Sequence, residues 1–467
     1  MSFRRTKSLA CVGVIAVVAL VAAGCGSSSN KSSTSAAAST STSSSSSSSS
    51  SSGSSSGSSS GNGGATAPGV TATSITFGTH QPLTGPAAPG YSEIAPASQA
   101  FFNYVNANGG VYGRKIHLII KDDAYNPTNT VNVVHQLVLQ SNVFGIYEGL
   151  GTPTHTKVVG FLNASKVPDL FVASGCPCWD DGSTQPWTFG WQPNYTIEGK
   201  ILGQYIKQHF GGQKVGVLYQ DDDFGKGGLA GIEDEVSASD IVSKQPYESG
   251  TTTLAPEITA LKASGAKVLV DFTVPIYTAI GQLTSFTLGW KPQLVISSVG
   301  IDPITVGGLL KTISKGKASG TALIEGAITD GYLPSNTDTT NPWIQLFMKV
   351  HSQYDASAPF DGNVEYGMAS AYTLVQALKA AGPHLTRQGL INAVNTMGAS
   401  WMGPGLVPFR YSTTDHGGYS GAEIGMVKNG KIVLSGGPLT TTPAAGSPIT
   451  PYSGTQPAPP ASGIPSN

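Results

Sequence analysis

The sequence predicts an α/β protein of two doubly wound, parallel-sheet lobes, and three observations lead there. Short strand-like apolar runs alternate with longer amphipathic segments, the patterning of βαβ units. The pattern occupies Val70 to Leu439, too long for one ordinary core and suited to two of typical domain size. It also falls into two successive series, each able to build its own parallel sheet.

In the first series, Ile75 to Gly78 reads as a strand, about Ala95 to Asn106 as a helix and Lys115 to Lys121 as a strand. Val131 to Leu139 then reads as a helix, Val143 to Tyr147 as a strand, Thr156 to Asn163 as a helix and Asp169 to Ala173 as a strand. The second series runs through helix Thr196 to His209, strand Lys214 to Tyr219, and helices Leu229 to Val236 and Pro256 to Ala263. It closes with strands Ala266 to Phe272 and Gln293 to Ser297.

The flanks read differently. Arg4, Arg5 and Lys7 precede an apolar run from Leu9 to Ala22 that stops at Val21-Ala22-Ala23-Gly24-Cys25. A charged start, a short apolar region and small residues before a cysteine resemble a bacterial lipoprotein signal, so residues 1–25 are expected to be a signal peptide with Cys25 lipidated. The run is shorter than the roughly 20 residues that span a bilayer. Residues 26–69, dominated by Ser and Gly, lack the apolar surface to offset the entropy of ordering and read as a disordered tether. Residues 440–467, rich in Pro, Ser, Thr and Gly, read as a disordered tail.

Composition narrows the partners. Charged residues make up 11% of the chain and the formal net charge is −1, which offers no basic patch for nucleic acid or an anionic membrane surface. Of four cysteines, Cys11 belongs to the signal and Cys25 to the lipid, which leaves Cys176 and Cys178 and no disulfide framework. In Cys176-Pro177-Cys178 the two residues read as a tight turn that pairs in an oxidising exterior; two thiolates alone are half a zinc site, and no cofactor or metal is expected.

Open parallel sheets bind ligands beyond the carboxyl ends of their strands, so the loops there carry the information. After the first strand comes Leu83-Thr84-Gly85-Pro86, the next helix runs into Asn108-Gly109-Gly110-Val111-Tyr112-Gly113-Arg114-Lys115-Ile116, and a strand ends in Asp122-Asp123-Ala124-Tyr125-Asn126-Pro127. Gly190-Trp191-Gln192-Pro193-Asn194-Tyr195 and Asp221-Asp222-Asp223-Phe224-Gly225-Lys226-Gly227 follow in order. This succession resembles the extracytoplasmic solute-binding proteins of the leucine/isoleucine/valine-binding family, over nearly all of Ile75 to Leu434.

The resemblance implies the type I periplasmic-binding fold, two lobes joined by a three-crossover hinge that closes on a ligand. The first lobe would take residues 70–193 and 331–403, the second 194–330 and 404–439. It further implies capture of a small molecule, an amino acid or a small carboxylate or amide, by a monomer tethered outside the cell membrane that delivers it to an ABC-type permease. A sensor of the same fold that signals to a membrane partner is the alternative.

Gly151 and Thr152 just after one strand, and Ser174 and Gly175 after the next, offer backbone N–H groups and hydroxyls that could hold a carboxylate, or else serve as ordinary helix caps. The resemblance gives the ligand role to Thr152, Ser174 and Cys176, and implies that Tyr91, Tyr195, Phe224 and Tyr277 wall the cleft. Amino-acid binders of the family set an acidic side chain in the loop that here reads Ser297-Ser298-Val299. With only serines there, Ser298 among the expected contacts, an ammonium would need another carboxylate such as Glu148 or Asp271, because an unpaired charge buried in a closed cleft is costly.

An enzyme is not expected. From Val70 to Leu439 there is no G-x-S-x-G elbow, no H-E-x-x-H helix and no G-x-x-x-x-G-K-[ST] loop, and Gly149-Leu150-Gly151 lacks the third glycine of a dinucleotide fingerprint. Asp221-Asp222-Asp223 reads as an acidic turn before a helix, not a calcium loop.

Overall fold

A computed structural model of the chain describes residues 61–318 and 320–466. The signal segment, Cys25 and most of the Ser/Gly stretch lie outside the described residues. Among those described, no helix is long and apolar enough to cross a membrane.

The chain first lays down β1 (Ser74–Gln81), α1 (Ala88–Tyr91), α2 (Ile94–Ala107), β2 (Lys115–Asp122), α3 (Pro127–His135), β3 (Ile146–Tyr147), α4 (Thr152–His155), α5 (Val159–Ala164), β4 (Asp169–Val172) and β5 (Thr188–Gly190). These strands form a wholly parallel sheet of order β2-β1-β3-β4-β5. Next come α6 (Tyr195–Phe210), β6 (Val215–Gln220), α7 (Asp223–Glu235), β7 (Ile241–Tyr247), α8 (Ala255–Ala263), β8 (Val268–Phe272), α9 (Pro275–Thr287), β9 (Gln293–Ile296), α10 (Pro303–Ile313) and β10 (Ile328–Gly331). Their strands build the second sheet. The chain then returns through α11 (Pro342–Tyr354), α12 (Gly362–Ala380) and α13 (Arg387–Met397), with α11 and α12 packed on α2, and ends in β11 (Gly421–Lys428), β12 (Lys431–Leu434), β13 (Leu439–Thr440) and β14 (Thr450–Pro451).

The second sheet is not wholly parallel. β11 runs antiparallel to β10, and β12 and β13 both pair antiparallel with β11. The β11–β12 hairpin turns at Asn429 and Gly430, both at positive φ (53° and 71°), the backbone a tight two-residue hairpin requires.

Helix starts follow local chemistry. Asn126, Asn194, Asp222, Asp302 and Asp361 each accept a backbone N–H of the following first turn, as N-caps do. β7 escapes the periodicity because it pairs only with β6 at the sheet edge. Its face is largely solvated, and at an edge Pro246 costs no ladder bond.

Two sequence expectations are corrected. Residues 440–467 are not a loose tail among the described residues: they form β13 and β14 and then a strap across both halves of the molecule. The buried ammonium of Lys200 on α6 donates to the carbonyls of Ala444 and Ser447 at 2.9 and 3.1 Å. Trp343 Nε1 donates to Pro457 O at 2.6 Å, Tyr104 to Ser462 O at 2.6 Å, and Ile464 is buried. The far end of the expected tether is held as well, since the buried Arg114 guanidinium grips the carbonyls of Asn62 and Gly64. In both segments backbone carbonyls accept from donors elsewhere in the chain, so polar composition does not leave them loose.

Candidate functional site

A cavity of about 160 Å³ opens where the carboxyl ends of the two sheets face each other. On the first side the loop after β3 provides the floor. Gly151 sits at φ 103°, and a Cβ there would lie 2.4 Å from the Tyr125 ring, so only glycine lets this loop approach. Thr152 follows, its hydroxyl 2.6 Å from that of Ser174 in the loop after β4.

Beneath this floor runs a fully buried polar chain. Asp123 contacts His80 Nδ1 at 2.8 Å, His80 Nε2 contacts His155 Nδ1 at 3.0 Å, and His155 Nε2 contacts Asp169 at 2.8 Å. Burial pushes His80 below its ordinary range despite the raising effect of Asp123. Gly149 fits against both rings, where a Cβ would lie 2.6 Å from His80 Nε2. The chain ties β1, β2, α4 and β4 together under Gly151 and Thr152, which makes the floor rigid.

From the second side, Tyr195 at the start of α6 and Phe224 in the first turn of α7 pack together with ring centroids 4.6 Å apart and planes tilted by 52°. Tyr195 donates to the Ser174 hydroxyl at 3.3 Å, and burial pushes its phenol up to about 12. Tyr332 and Tyr366 add further aromatic surface, each edge-on to Trp191 in the first crossover.

Three carboxyl groups line the cavity, those of Asp302, Asp330 and Glu365, and among the described lining residues there is no Lys, Arg or His. Asp330 is the penultimate residue of β10, and its Oδ1 accepts the Ser298 N–H at 3.2 Å. Behind it, Glu198 of α6 accepts from the Ser297 hydroxyl at 2.8 Å and from the Ser298 N–H and hydroxyl at 2.7 and 2.8 Å. Burial, then the neighbouring Glu198, holds Asp330 well above the carboxylate range. Burial first, then Asp302 and Asp361, does the same to Glu365.

The cleft is shut. The Tyr91 hydroxyl donates to Val299 O at 2.7 Å, and Gln220 donates to the Tyr125 hydroxyl at 3.4 Å. At the mouth, Asp302 accepts the Gly362 N–H at 3.1 Å and Thr305 donates to Asp361 at 3.2 Å, which joins the starts of α10 and α12.

Of the residues singled out in the sequence, Tyr91, Gly151, Thr152, Tyr195, Phe224 and Ser298 line the cavity. Ser174 stands behind Thr152, and Gly175 accommodates the crossover, where a Cβ would lie 2.3 Å from Pro193 O. Cys176 is buried and joined to Cys178 in a disulfide, which occupies both sulfurs although Asp223 is close by. Tyr277 is corrected: it lies inside α9, not in a loop, with its ring 4.6 Å from that of Tyr247 and its hydroxyl accepting the Gly250 N–H, and it does not reach the cavity.

Glu148 and Asp271 do not reach it either, being held by Ser98 and Gln282 at 2.8 Å each. The carboxyl groups that do were missed. Asp330 stands next to last in β10, a four-residue strand too short to show periodicity, and only the rule that ligands lie beyond strand ends points to it.

The model of the family described as periplasmic binding protein matches residues 74–431. A Leu/Ile/Val-binding protein homolog 8 from Brucella suis is 23% identical over 71% of this chain and 83% of its own length. Homolog 1 from the same organism is 26% identical over 66% of this chain and 79% of its own. Among solved structures, a branched-chain amino acid ABC transporter protein from Thermus thermophilus with bound valine superposes with a TM-score of 0.69 at 18% identity, covering 79% of this chain and 97% of that one. A fatty acid ABC transporter substrate-binding protein from Thermomonospora curvata gives 0.67 at 22%, covering 79% and 92%. These relatives are named as solute-binding or transporter proteins. The chain belongs to the periplasmic binding protein family.

Proposed function

We propose that this protein is the lipid-anchored, monomeric solute receptor of an ABC-type transporter on the outer face of a bacterial cell membrane. It captures an amino acid or a small carboxylate or amide by closure of its two lobes. The observation that carries this reading is the cavity itself, walled from both sheets and shut by hydrogen bonds that only a closed cleft can make. Solute contacts on both walls stabilise the closed form, which is the form a permease would recognise. Relatives named for branched-chain amino acids and for a fatty acid agree with a solute that has an apolar body, which the aromatic walls suit. Anchoring rests on Cys25 and its lipobox.

The test is a thermal-shift panel of amino acids, short carboxylic and aromatic acids, amides and urea on the full chain. A compound at a hundred times its dissociation constant stabilises the native state by about 2.7 kcal/mol. Tyr195→Ala should weaken the best-binding compound at least tenfold; unchanged affinity in a folded variant would show that capture happens elsewhere. Failure of Cys25→Ser to release the protein from membranes would remove the anchor from the proposal.

A further inference from the structure

We infer that the flank built by α2, α11 and α12 is a binding site for an extended, proline-rich peptide, filled in cis by residues 456–465 of the chain's own tail. The site shares no lining residue with the cavity between the sheets, so it stands apart from the capture of solute.

The tail divides into two parts that are held differently. Up to Pro451 it belongs to the second sheet: β13 and β14 pair there, Asp234 accepts the Gly446 N–H at 2.9 Å, and Lys200 grips the Ala444 and Ser447 carbonyls. Ser453, Gly454 and Thr455 are exposed, and beyond them no strand or helix follows among the described residues. Residues 456–465 are therefore placed by what they touch, as a ligand is.

The peptide side of the contact is Gln456-Pro457-Ala458-Pro459-Pro460. Proline fixes its own φ near about −65° and holds the residue before it extended, so this run is close to its docked shape before it docks and loses little entropy on binding. Its three prolines have no N–H, which leaves carbonyls as the main hydrogen-bonding groups of its backbone.

The protein side supplies the matching donors. Trp343, 1% exposed, donates its indole N–H to Pro457 O at 2.6 Å, Tyr104 donates to Ser462 O at 2.6 Å, and the Lys379 ammonium donates to Pro465 O. The Asn341 amide donates to Gln456 Oε1 at 2.9 Å, and the Gln456 amide donates to Pro404 O. Trp343, Tyr372 and Trp401 line one groove with Pro457 and Pro460, Trp343 edge-on to Tyr372 with ring centroids 4.7 Å apart. At the far end the Gly463 N–H closes a turn on Pro460 O at 2.7 Å, and Ile464 is buried. An aromatic groove that receives a proline-rich segment is a recurring mode of peptide recognition. None of these contacts requires the peptide to be part of the same chain; the linker only raises its effective concentration at the groove.

The test cuts that linker after folding. A protease recognition sequence is inserted between Ser453 and Gly454 of the full chain, the folded protein is cleaved, and fragment 454–467 is followed by gel filtration and by the thermal midpoint. The fragment should co-elute at high concentration and separate on dilution, and excess synthetic 454–467 should rebind saturably and restore the midpoint. A synthetic fragment with Pro457, Pro459 and Pro460 replaced by Ala should rebind at least about fivefold more weakly, and Trp343→Phe, which keeps a ring in the groove, should weaken the natural fragment by a similar factor. A fragment that separates and fails to rebind overturns the inference, and so does an alanine fragment that rebinds as well as the natural one. Should the cleavable chain fail to fold, Ile464→Asn in the otherwise unchanged full chain loosens the tail in place. Saturable uptake of labelled 454–467 by that variant, weakened by Trp343→Phe, then supports the site, and no uptake overturns it.

Discussion

Tyr91→Phe isolates the closing of the cleft from the filling of it. The substitution keeps the ring that lines the cavity and removes one hydroxyl, whose 2.7 Å bond to Val299 O links the two lobes. That bond exists only when the lobes meet, so its loss falls on the closed state alone. A hydrogen bond of this kind contributes about 0.5–1.5 kcal/mol net. Because capture draws the open protein into the closed form, the cost appears directly in affinity, as a weakening of roughly two- to thirteenfold. Titration with leucine or 3-methylbutylamine, whichever binds more tightly, reads it. The control is Tyr112→Phe, which deletes a bond of the same length to Lys379 O far from the cleft. It should lower the melting temperature and leave affinity alone. If Tyr91→Phe behaves like its control, losing stability but no affinity, the bond does not report on closure and the reasoning fails.

Two further outcomes follow from the same geometry. At the cleft mouth Asp302 is pushed up to about 6 and Glu93 to about 7, by burial first and by Asp361 next, among the nearby carboxyls of Asp355 and Glu365. Folded values above the unfolded carboxyl range mean that their contribution is full below about pH 4 and is lost as pH rises through about 6 to 7. The thermal midpoint should therefore fall from pH 4 to pH 8, and Asp302→Asn or Glu93→Gln should flatten that slope; a slope that neither variant changes would assign it to other groups. Deleting residues 455–467 removes the partners of Trp343 Nε1 and the Tyr104 hydroxyl and uncovers the site of Ile464, which should cost about 2 kcal/mol in denaturant unfolding. An unchanged midpoint would mean that the strap is not held in solution.

The fold was legible wherever burial leaves a periodic trace. The strands read at Lys115, Asp169 and Gln293 begin at those residues in the structure: β4 and β9 carry short, almost wholly buried apolar runs, and β2 keeps an apolar centre from Leu118 to Ile120. β7 left no such trace, since an edge strand with a solvated face needs no apolar side chains. The strap left none for a different reason. Its attachments are backbone carbonyls received by Lys200, Trp343 and Tyr104, residues more than a hundred positions away, so composition within the segment carries no sign of them.

The site divides along the same line. Gly151, Thr152, Tyr195 and Phe224 follow strands or a crossover and were found by position alone. The acidic wall is not legible in this way, because the loop in which the resemblance places a carboxylate reads Ser297 and Ser298. Electrostatics does not require the charge to sit in a given loop, only at a given point in space. β9 and β10 are neighbours in the sheet, so an aspartate near the end of β10 occupies nearly the same region as an acid in the loop after β9, although 32 residues separate Ser298 from Asp330. The serines then become the donors that hold Glu198 in place behind it. A loop that lacks the expected acid is thus weak grounds for excluding an ammonium. The ends of the adjacent strands must be read first, and here one of them brings the Asp330 carboxyl to the cavity.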